Sequence, residues 1–214
     1  MALKAAIFDI GGVLTVSPVD RITAFAAEHQ ISDAARMAIF AHGESIWSRF
    51  ERSELTRDQF AAEFDTVVTA DGSTVTGSAF MEWFFQGFEP RPEVIAVVEY
   101  LRGRVKLGAI TNNVARDEPA EKRTAGLDIQ SLFDVVVESA IVGLRKPDPR
   151  IYTMTCELLG VEPSDAVFLD DIGQNLKAAR ALGMTTIRVD ATLGAIDELE
   201  TALGFALPRP HLAT

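Results

Sequence analysis

The sequence has a single cysteine and lacks any long uninterrupted apolar run. Cys156 has no partner for a disulfide within the chain, and nothing in the cysteine content points to an oxidising compartment. No apolar segment reaches the roughly 20 residues that a membrane-spanning helix needs. The apolar start of the chain is cut by Asp9, which is not the pattern of a signal peptide. We therefore expect a cytoplasmic protein without disulfides.

Positive charge is also scarce. The formal net charge of the 214 residues is -11, which argues against nucleic acid and against an anionic membrane surface as partners. A small anionic ligand stays open, because its site needs only local positive charge. Hydrophobic residues make up 48% of the chain, which is enough for a sizeable core. No feature of the sequence indicates the oligomeric state.

Strand and helix patterns alternate over much of the chain. Short apolar runs that are typical of buried strands occur at residues 5–8, 105–110, 133–137, 166–169 and 184–189. Helical patterns separate the later runs, and the loops between them are short. This alternation predicts a parallel, doubly wound α/β sheet. We also expect a helix near residues 117–126 and an unstructured tail over residues 208–214.

Residues 16–90 interrupt the alternation. Helical patterns follow one another there without a convincing strand, and both tryptophans, Trp47 and Trp83, lie in this block. Because the block enters directly after the first strand, we expect an insertion into a core formed by residues 1–15 and 91–207. Its aromatic stripe fits either a bundle core or a lid that faces a pocket, and periodicity does not separate the two.

Polar residues stand at the ends of three predicted strands. Asp9 ends the first, Thr111 and Asn112 follow the second, and Asp170 and Asp171 end a later one. In a doubly wound sheet, ligands bind at the carboxyl ends of the strands, so we expect these side chains to converge. A carboxylate at the end of a buried strand is costly unless it is paired. Asp9 is therefore either a simple cap or a reactive, metal-binding group.

These residue types suit a magnesium ion and a phosphorylated ligand. Asp9 and Asp171 are hard oxygen ligands of the kind that Mg²⁺ takes, and the carbonyl oxygen of Gly11 offers a further ligand. Thr111 and Asn112 can donate hydrogen bonds to an oxyanion. Taken singly, such features are usually caps and turns. Chance does not easily place all of them at the matching points of an alternating strand and helix pattern.

Lys146 lies in a loop before the helix that leads to the strand ending in Asp170. Its ammonium group is a mobile point charge that can pair with phosphate and with carboxylates. A buried carboxylate that is flanked by a lysine and a divalent cation stays ionised and can act as a nucleophile.

On these residues the chain resembles the haloacid dehalogenase-like (HAD) hydrolase superfamily over essentially its whole length. The segments that are similar to the four family motifs are residues 8–15, 111–113, 145–148 and 168–175. The run 168–184 is especially similar to the phosphatase domain of soluble epoxide hydrolase and its bacterial relatives.

The resemblance implies a Rossmann-like core, with residues 16–90 as an α-helical cap. It also implies a Mg²⁺-dependent phosphatase that cleaves a small phosphorylated metabolite through an aspartyl-phosphate. In that reading Asp9 attacks phosphorus, and Asp9, Gly11 and Asp171 bind the metal.

The resemblance implies roles for the remaining motif residues as well. Thr111 and Asn112 would hold the transferring phosphoryl group, and Lys146 would neutralise charge around the nucleophile and bind phosphate. Asp170 and Asn175 would support the metal ligand and its loop.

The chain departs from the family pattern at Gly11. Family phosphatases usually carry there a second aspartate, which protonates the leaving alcohol and later activates water. Such acid and base help is worth about 10²–10⁴ in rate. We expect a slower reaction or a proton donor from the cap, with Asp20, His42 and Glu44 as open choices. We also expect Gly11→Asp to raise turnover on poor leaving groups.

Two other functions stay open. A haloacid dehalogenase also lacks the second aspartate and uses no metal, although the pair Asp170 and Asp171 argues for a metal. A catalytically weak relative would bind a phosphorylated ligand or a partner through its cap. Intact Asp9, Lys146 and Asp171 argue against a complete loss of chemistry.

Overall fold

The computed structural model describes residues 3–41, 43–114 and 128–209. The helix expected near residues 117–126, most of the expected tail, and the histidines His42 and His211 lie outside these residues. Among the helices of the described part, none is long and apolar enough to cross a lipid bilayer.

Parallel strands form a central sheet in the described residues. They are β1 (Ala5–Phe8), β2 (Lys106–Thr111), β3 (Val135–Glu138), β4 (Ala166–Asp170) and β5 (Thr185–Arg188). Their spatial order is β3-β2-β1-β4-β5, and each neighbouring pair is parallel. The order reverses between β1 and β4. The expected doubly wound α/β sheet is confirmed, and ligands bind such sheets outside the carboxyl ends at the switch point.

The register aligns the ends of β1 and β4. Phe8 lies opposite Leu169, and the N–H of Asp9 donates to the carbonyl oxygen of Leu169 at 2.9 Å. All four residues of β1 are buried, as a continuous apolar run predicts for a strand covered on both faces. The residues that follow these strands, Asp9 and Asp171, are therefore neighbours at one edge of the sheet.

Helices fill the segment between β1 and residue 85. They are α1 (Pro18–Glu28), α2 (Asp33–Phe40), α3 (Ile46–Glu51), α4 (Arg57–Ala70) and α5 (Gly77–Phe85). Their starts follow from local sequence, because Ser32, Ser45, Thr56 and Thr76 each accept a hydrogen bond from a first-turn N–H. Thr56 and Gln59 form a capping box at the start of α4.

The insertion has an aromatic core of its own. Phe60, Phe64 and Phe80 have no exposed surface and pack on one another with ring centroids 5.2–6.0 Å apart. The buried cluster that they belong to is separate from the two clusters on the faces of the sheet. We therefore propose residues 16–90 as a cap domain on the core formed by residues 1–15 and 91–207.

Further helices complete the core. They are α6 (Pro92–Leu101), α7 (Ile129–Leu132), α8 (Ser139–Val142), α9 (Pro149–Leu159), α10 (Gly173–Ala181) and α11 (Thr192–Leu203). Side chains of α6 and α11 cluster with Phe8 and Leu107 on one face of the sheet. Side chains of α9 and α10 cluster with Ile7 and Phe168 on the other. This arrangement leaves the strand ends open toward the insertion.

Candidate active site

Lys146 joins two carboxylates at the switch point of the sheet. Its Nζ lies 2.7 Å from Oδ1 of Asp9 and 2.8 Å from Oδ2 of Asp170. All three residues are buried, with exposed fractions of 1%, 6% and 0%. The structure thus brings together the ends of β1 and β4 and the loop before α9, as the topology predicts. Buried charges of this kind are tolerated because they are paired.

Asn112 holds the loop that carries Lys146. Its Nδ2 donates to the carbonyl oxygen of Lys146 at 3.0 Å, and its Oδ1 accepts from the N–H of Lys146 at 2.8 Å. The side chain of Asn112 is therefore engaged with protein. Any contact of this residue with a phosphoryl group would come through its main chain.

Asp170 is an anchor inside the site. In addition to Lys146, it accepts hydrogen bonds from Nδ2 of Asn175 at 3.0 and 3.1 Å and from the N–H of Ile172 at 2.7 Å. The hydroxyl of Tyr152 in turn donates to the carbonyl oxygen of Asn175 at 3.0 Å. These contacts fix the start of α10 and the segment that carries Asp171.

Asp171 is held from the opposite side. The hydroxyl of Ser17, just before α1, donates to its Oδ2 at 2.8 Å, whereas its Oδ1 is buried and has no hydrogen-bond partner among the residues that the structure describes. Gly12 has a φ of +84°, and a Cβ at that position would lie 2.1 Å from Oδ2 of Asp171. A glycine is required at residue 12 for both reasons.

The donor set fits a divalent cation. Oxygen atoms of Asp9, Asp170 and Asp171 lie within 4.8 Å of one another. Asp170 is already satisfied by protein donors, which leaves Asp9 and the unpartnered oxygen of Asp171 as the available carboxylates. Hard carboxylate oxygens in this number are what Mg²⁺ takes in proteins.

The electrostatics of the site are unfavourable without a cation. Burial raises the pKa of Asp9 well above its ordinary value, and Asp170 and Asp171 add to the rise while Lys146 opposes it. Burial also raises the pKa of Asp171. Burial alone would lower the pKa of Lys146, but its two carboxylate neighbours outweigh burial and raise it. Lys146 thus stays charged among groups that a metal ion would help to ionise.

A cavity of about 330 Å³ opens beside Asp9. Thr111, Lys146 and Asp171 line its polar end, where Gly11 also lies. Apolar side chains of the insertion form a large part of the remaining wall, among them Val19, Ile22, Met37, Phe40, Trp47, Phe84 and Phe88, and polar side chains such as Arg36, Glu51 and Arg145 also line it. The aromatic stripe therefore has both of the functions that its periodicity allowed: part of it forms the bundle core, and part faces the pocket.

Of the cap residues considered as proton donors, the described ones, Asp20 and Glu44, do not line this cavity. Asp20 lines a second cavity on the other side of Asp171. The side chain of Glu44 is 81% exposed and pairs with Arg52. His42 lies outside the described residues. None of the described pair is therefore placed at the end of the cavity where Asp9 lies.

Sequence reasoning missed Glu51, Arg145 and Ser17. Arg145 directly precedes Lys146 and could have been noticed by that position. Glu51 ends α3 and carried no signal, because its partner Arg145 is 94 residues away in the chain. Ser17 could be read only as a helix cap, yet it forms no side-chain cap and bonds Asp171 instead.

Fold and site together define an enzyme with a Rossmann-like α/β core, a carboxylate-rich site at the switch point and a helical insertion after the first strand. The chain belongs to the haloacid dehalogenase-like hydrolase family, whose sequence model matches residues 3–183. It is accordingly a hydrolase, and several of its relatives carry the name of a phosphatase.

The relatives include parts of longer proteins. The chain is 34% identical over 210 residues to acyl-CoA dehydrogenase family member 10 of Mus musculus, covering 95% of this chain and 19% of that protein. It is 29% identical over 228 residues to bifunctional epoxide hydrolase 2 of Rattus norvegicus, covering 99% of this chain and 41% of that protein. The chain thus spans less than half the length of these two relatives.

A relative of similar length is the sesquiterpene phosphatase of Aspergillus oryzae. It is 26% identical over 202 residues, which cover 94% of this chain and 97% of that protein. Among solved structures, a HAD family enzyme of Bacteroides thetaiotaomicron in complex with magnesium and inorganic phosphate superposes with a TM-score of 0.63. The alignment covers 87% of this chain and 93% of that one at 19% identity, and it supports the fold.

Proposed function

We propose that this hydrolase is a Mg²⁺-dependent phosphatase that cleaves phosphate monoesters, with Asp9 as its nucleophile. The observation that carries the proposal is the buried contact of 2.7 Å between Nζ of Lys146 and Oδ1 of Asp9 at the polar end of the cavity. A carboxylate that faces a ligand cavity, and whose ionised form is favoured by a neighbouring ammonium group and would be favoured further by a bound metal ion, is equipped for nucleophilic attack.

In the first step an oxygen of Asp9 attacks phosphorus. The bond between phosphorus and the alcohol oxygen breaks, and its electron pair leaves with that oxygen. The hydroxyl of Thr111 and the main-chain N–H of Asn112 are proposed to hold the phosphoryl oxygens, and Lys146 offsets their charge.

In the second step a water molecule attacks phosphorus of the aspartyl-phosphate. The bond between phosphorus and the oxygen of Asp9 breaks, which restores the carboxylate and yields inorganic phosphate after the water gives up its proton. The leaving alcohol and the attacking water both need a proton partner, and Gly11 offers no side chain for that task.

The proposed metal ligands are the side chains of Asp9 and Asp171 and the carbonyl oxygen of Gly11. When bound, Mg²⁺ supplies positive charge for the phosphoryl oxygens. The unpartnered, buried Oδ1 of Asp171 supports this assignment. Asp170 and Asn175 support it indirectly, since they fix the chain on both sides of Asp171.

The alcohol part of the substrate is proposed to be apolar. Beyond its polar end, the insertion gives the cavity a wall of aliphatic and aromatic side chains, and the hydroxyl groups of a sugar placed against that wall would lose water without gaining partners. An apolar group would instead gain from burial there. The relative that is named a sesquiterpene phosphatase is consistent with this choice.

Release of p-nitrophenol from p-nitrophenyl phosphate tests the reaction. We expect turnover that needs Mg²⁺ and that disappears in Asp9→Asn, which keeps the size of the side chain but removes its charge. Turnover that persists in Asp9→Asn would contradict the mechanism. Halide release from a 2-haloacid without metal would indicate a dehalogenase instead, and binding of phosphate without any turnover would indicate a binding protein.

A further inference from the structure

Glu51 connects the insertion to the core. It ends α3, and its exposed fraction is 5%. Its Oε1 accepts a hydrogen bond from Nε1 of Trp47 at 2.8 Å, and its Oε2 lies 2.7 Å from both Nε and Nη2 of Arg145. All three side chains line the cavity that contains Asp9. One carboxylate therefore has one partner in the insertion and one in the core.

Stability does not explain this buried pair. Removing two charges from water usually costs as much as their attraction returns, and apolar replacements of similar volume are often neutral or stabilising. Burial raises the pKa of Glu51, although Arg145 and Trp47 both oppose the rise. Burial therefore opposes the ionised form of Glu51, and the position of the pair needs a reason other than stability.

Arg145 directly precedes Lys146 in the chain. Consecutive Cα atoms are about 3.8 Å apart, so an anchored guanidinium at residue 145 restricts where the main chain of residue 146 can lie. Asn112 holds the same main chain from the other side. Glu51 and Asn112 together thus fix the segment from which Lys146 reaches Asp9.

Glu51 has a second contact with the core. Its carbonyl oxygen accepts a hydrogen bond from the hydroxyl of Ser139 at 2.8 Å. The hydroxyl oxygen of Ser139 accepts from the N–H of Asn113 at 2.9 Å, and Asn113 follows Asn112 directly. The same insertion residue therefore contacts both segments, the one that follows β2 and the one that carries Lys146.

We propose that Glu51 is a positioning residue for the reaction, which fixes these two segments against each other and so holds Lys146 at Asp9. Lys146 then lies at hydrogen-bond distance from Asp9 only when α3 is packed against the core. The kinetic part of this proposal rests on the proposed phosphatase function, whereas its structural part does not.

Hydrogen exchange tests the structural part. The variant is Glu51→Gln, and the matched control is Glu63→Gln in α4, whose carboxylate pairs with Arg49 at 2.8 Å within the insertion. We expect the amide of Lys146 to exchange at least about tenfold faster in Glu51→Gln and at the parental rate in the control. Unchanged exchange at the amide of Lys146 in Glu51→Gln would overturn the proposal.

Kinetic measurements with Mg²⁺ and a series of aryl phosphates test the kinetic part of the proposal. Misplacement of a catalytic group by about 1 Å can cost about 10²-fold, so we expect kcat to fall about 10- to 100-fold in Glu51→Gln and in Arg145→Gln. The double variant should lose no more than the worse single variant, because both act through one contact. The KM for Mg²⁺ should change little, and every leaving group should be slowed by the same factor.

A further double variant separates an effect on the position of Lys146 from an effect on the stability of the fold. Glu51→Met with Arg145→Met replaces the pair by apolar side chains, so its melting temperature should stay near that of the parent while kcat still falls. An unchanged kcat in this folded variant would overturn the proposal. A loss confined to poor leaving groups in Glu51→Gln would overturn it too, because it would make Glu51 a proton donor. An inactive parent would instead refute the proposed function and leave the exchange experiment decisive for Glu51.

Discussion

Three carboxylates and one ammonium group determine the electrostatics of the site at the residue scale. Asp9 and Asp170 share Lys146, while Asp171 accepts a hydrogen bond from the hydroxyl of Ser17. A single buried cation therefore compensates two buried anions by direct contact. Loss of that cation should be far more costly than loss of a lysine at the surface.

The variant Lys146→Met tests this asymmetry. We expect its free energy of unfolding to fall by about 3–5 kcal/mol, because two buried carboxylates lose their partner. The loss should shrink at acid pH, where the carboxyl group of Asp9, whose pKa is raised by burial, takes up a proton. Urea unfolding at two pH values measures both effects.

Lys4→Met is the matched control for Lys146→Met. Lys4 pairs with Asp165 at 2.7 Å, but its side chain is 64% exposed, so its loss should cost about 0–1 kcal/mol. Equal losses of unfolding free energy in the two variants would show that the buried Lys146 contributes no more to stability than the exposed Lys4.

Glu51 gives a prediction about pH. Its pKa is raised from the ordinary 4.5 by burial. Between the ordinary and the raised value the folded chain holds a proton that the unfolded chain has lost, so the contribution of this group to stability falls as pH rises through that window. The parent should therefore lose more stability than Glu51→Gln on going upward from pH 4.5. Parallel stability curves in urea unfolding would contradict a raised pKa.

At the scale of secondary-structure elements, the sequence predicts the strands and the polar residues that follow them. Each of the predicted strands lies within two residues of an observed one, because buried apolar runs have a simple signature. The convergence of Asp9, Asp170 and Lys146 followed from the rule for doubly wound sheets. The roles of these residues stay predictions, since contacts alone do not show a reaction.

Other features could not be read from single elements. The single-turn helices α7 and α8 have four residues each, which is too short for a periodic pattern. The contact of Glu51 with Arg145 depends on how the insertion sits on the core. That Asn112 holds a phosphoryl group stays a prediction, but the contact of its side chain with the loop of Lys146 was not foreseen, because a strand end does not reveal which way its side chains turn.

The first turn of α1 changes the expectation for Gly11→Asp. A Cβ at residue 11 would lie 2.7 Å from Cγ and 2.9 Å from Cδ of Pro18, closer than real contacts allow. The aspartate alone should therefore not raise turnover, because it displaces the start of α1. Pro18→Ala removes both ring atoms, so the double variant Gly11→Asp with Pro18→Ala should hydrolyse alkyl phosphates about 10- to 100-fold faster than Pro18→Ala alone.

The measurement compares the turnover of these variants on alkyl phosphates with their turnover on nitrophenyl phosphates. Nitrophenolate leaves without a proton, so a gain from a restored acid should appear mainly on the alkyl esters. A single Gly11→Asp variant that already gains as much as the double variant would show that α1 yields easily and that Pro18 sets no limit.

Chemistry and selectivity come from different parts of the chain at the scale of the whole molecule. The sheet core carries every polar group that we propose to contact the substrate or the metal, whereas the insertion contributes Glu51 and most of the apolar wall of the cavity. A net charge of -11 also gives an anionic substrate no general attraction, so binding must come from local contacts and from the burial of apolar surface.

Straight-chain alkyl phosphates of increasing length test this division. Each buried methylene is worth about 0.8 kcal/mol, so kcat/KM should rise about fourfold per methylene until the cavity is filled.

Met37→Glu places a charge on the wall of the insertion at a residue that is 52% exposed, so the fold should tolerate it. Leu158→Glu, at 61% exposure on α9 and away from the cavity, is the matched control. Met37→Glu should flatten the dependence on chain length and leave the shortest ester unaffected, because only longer chains reach the wall. An equal loss on all esters would place Met37 in the chemistry instead of in selectivity.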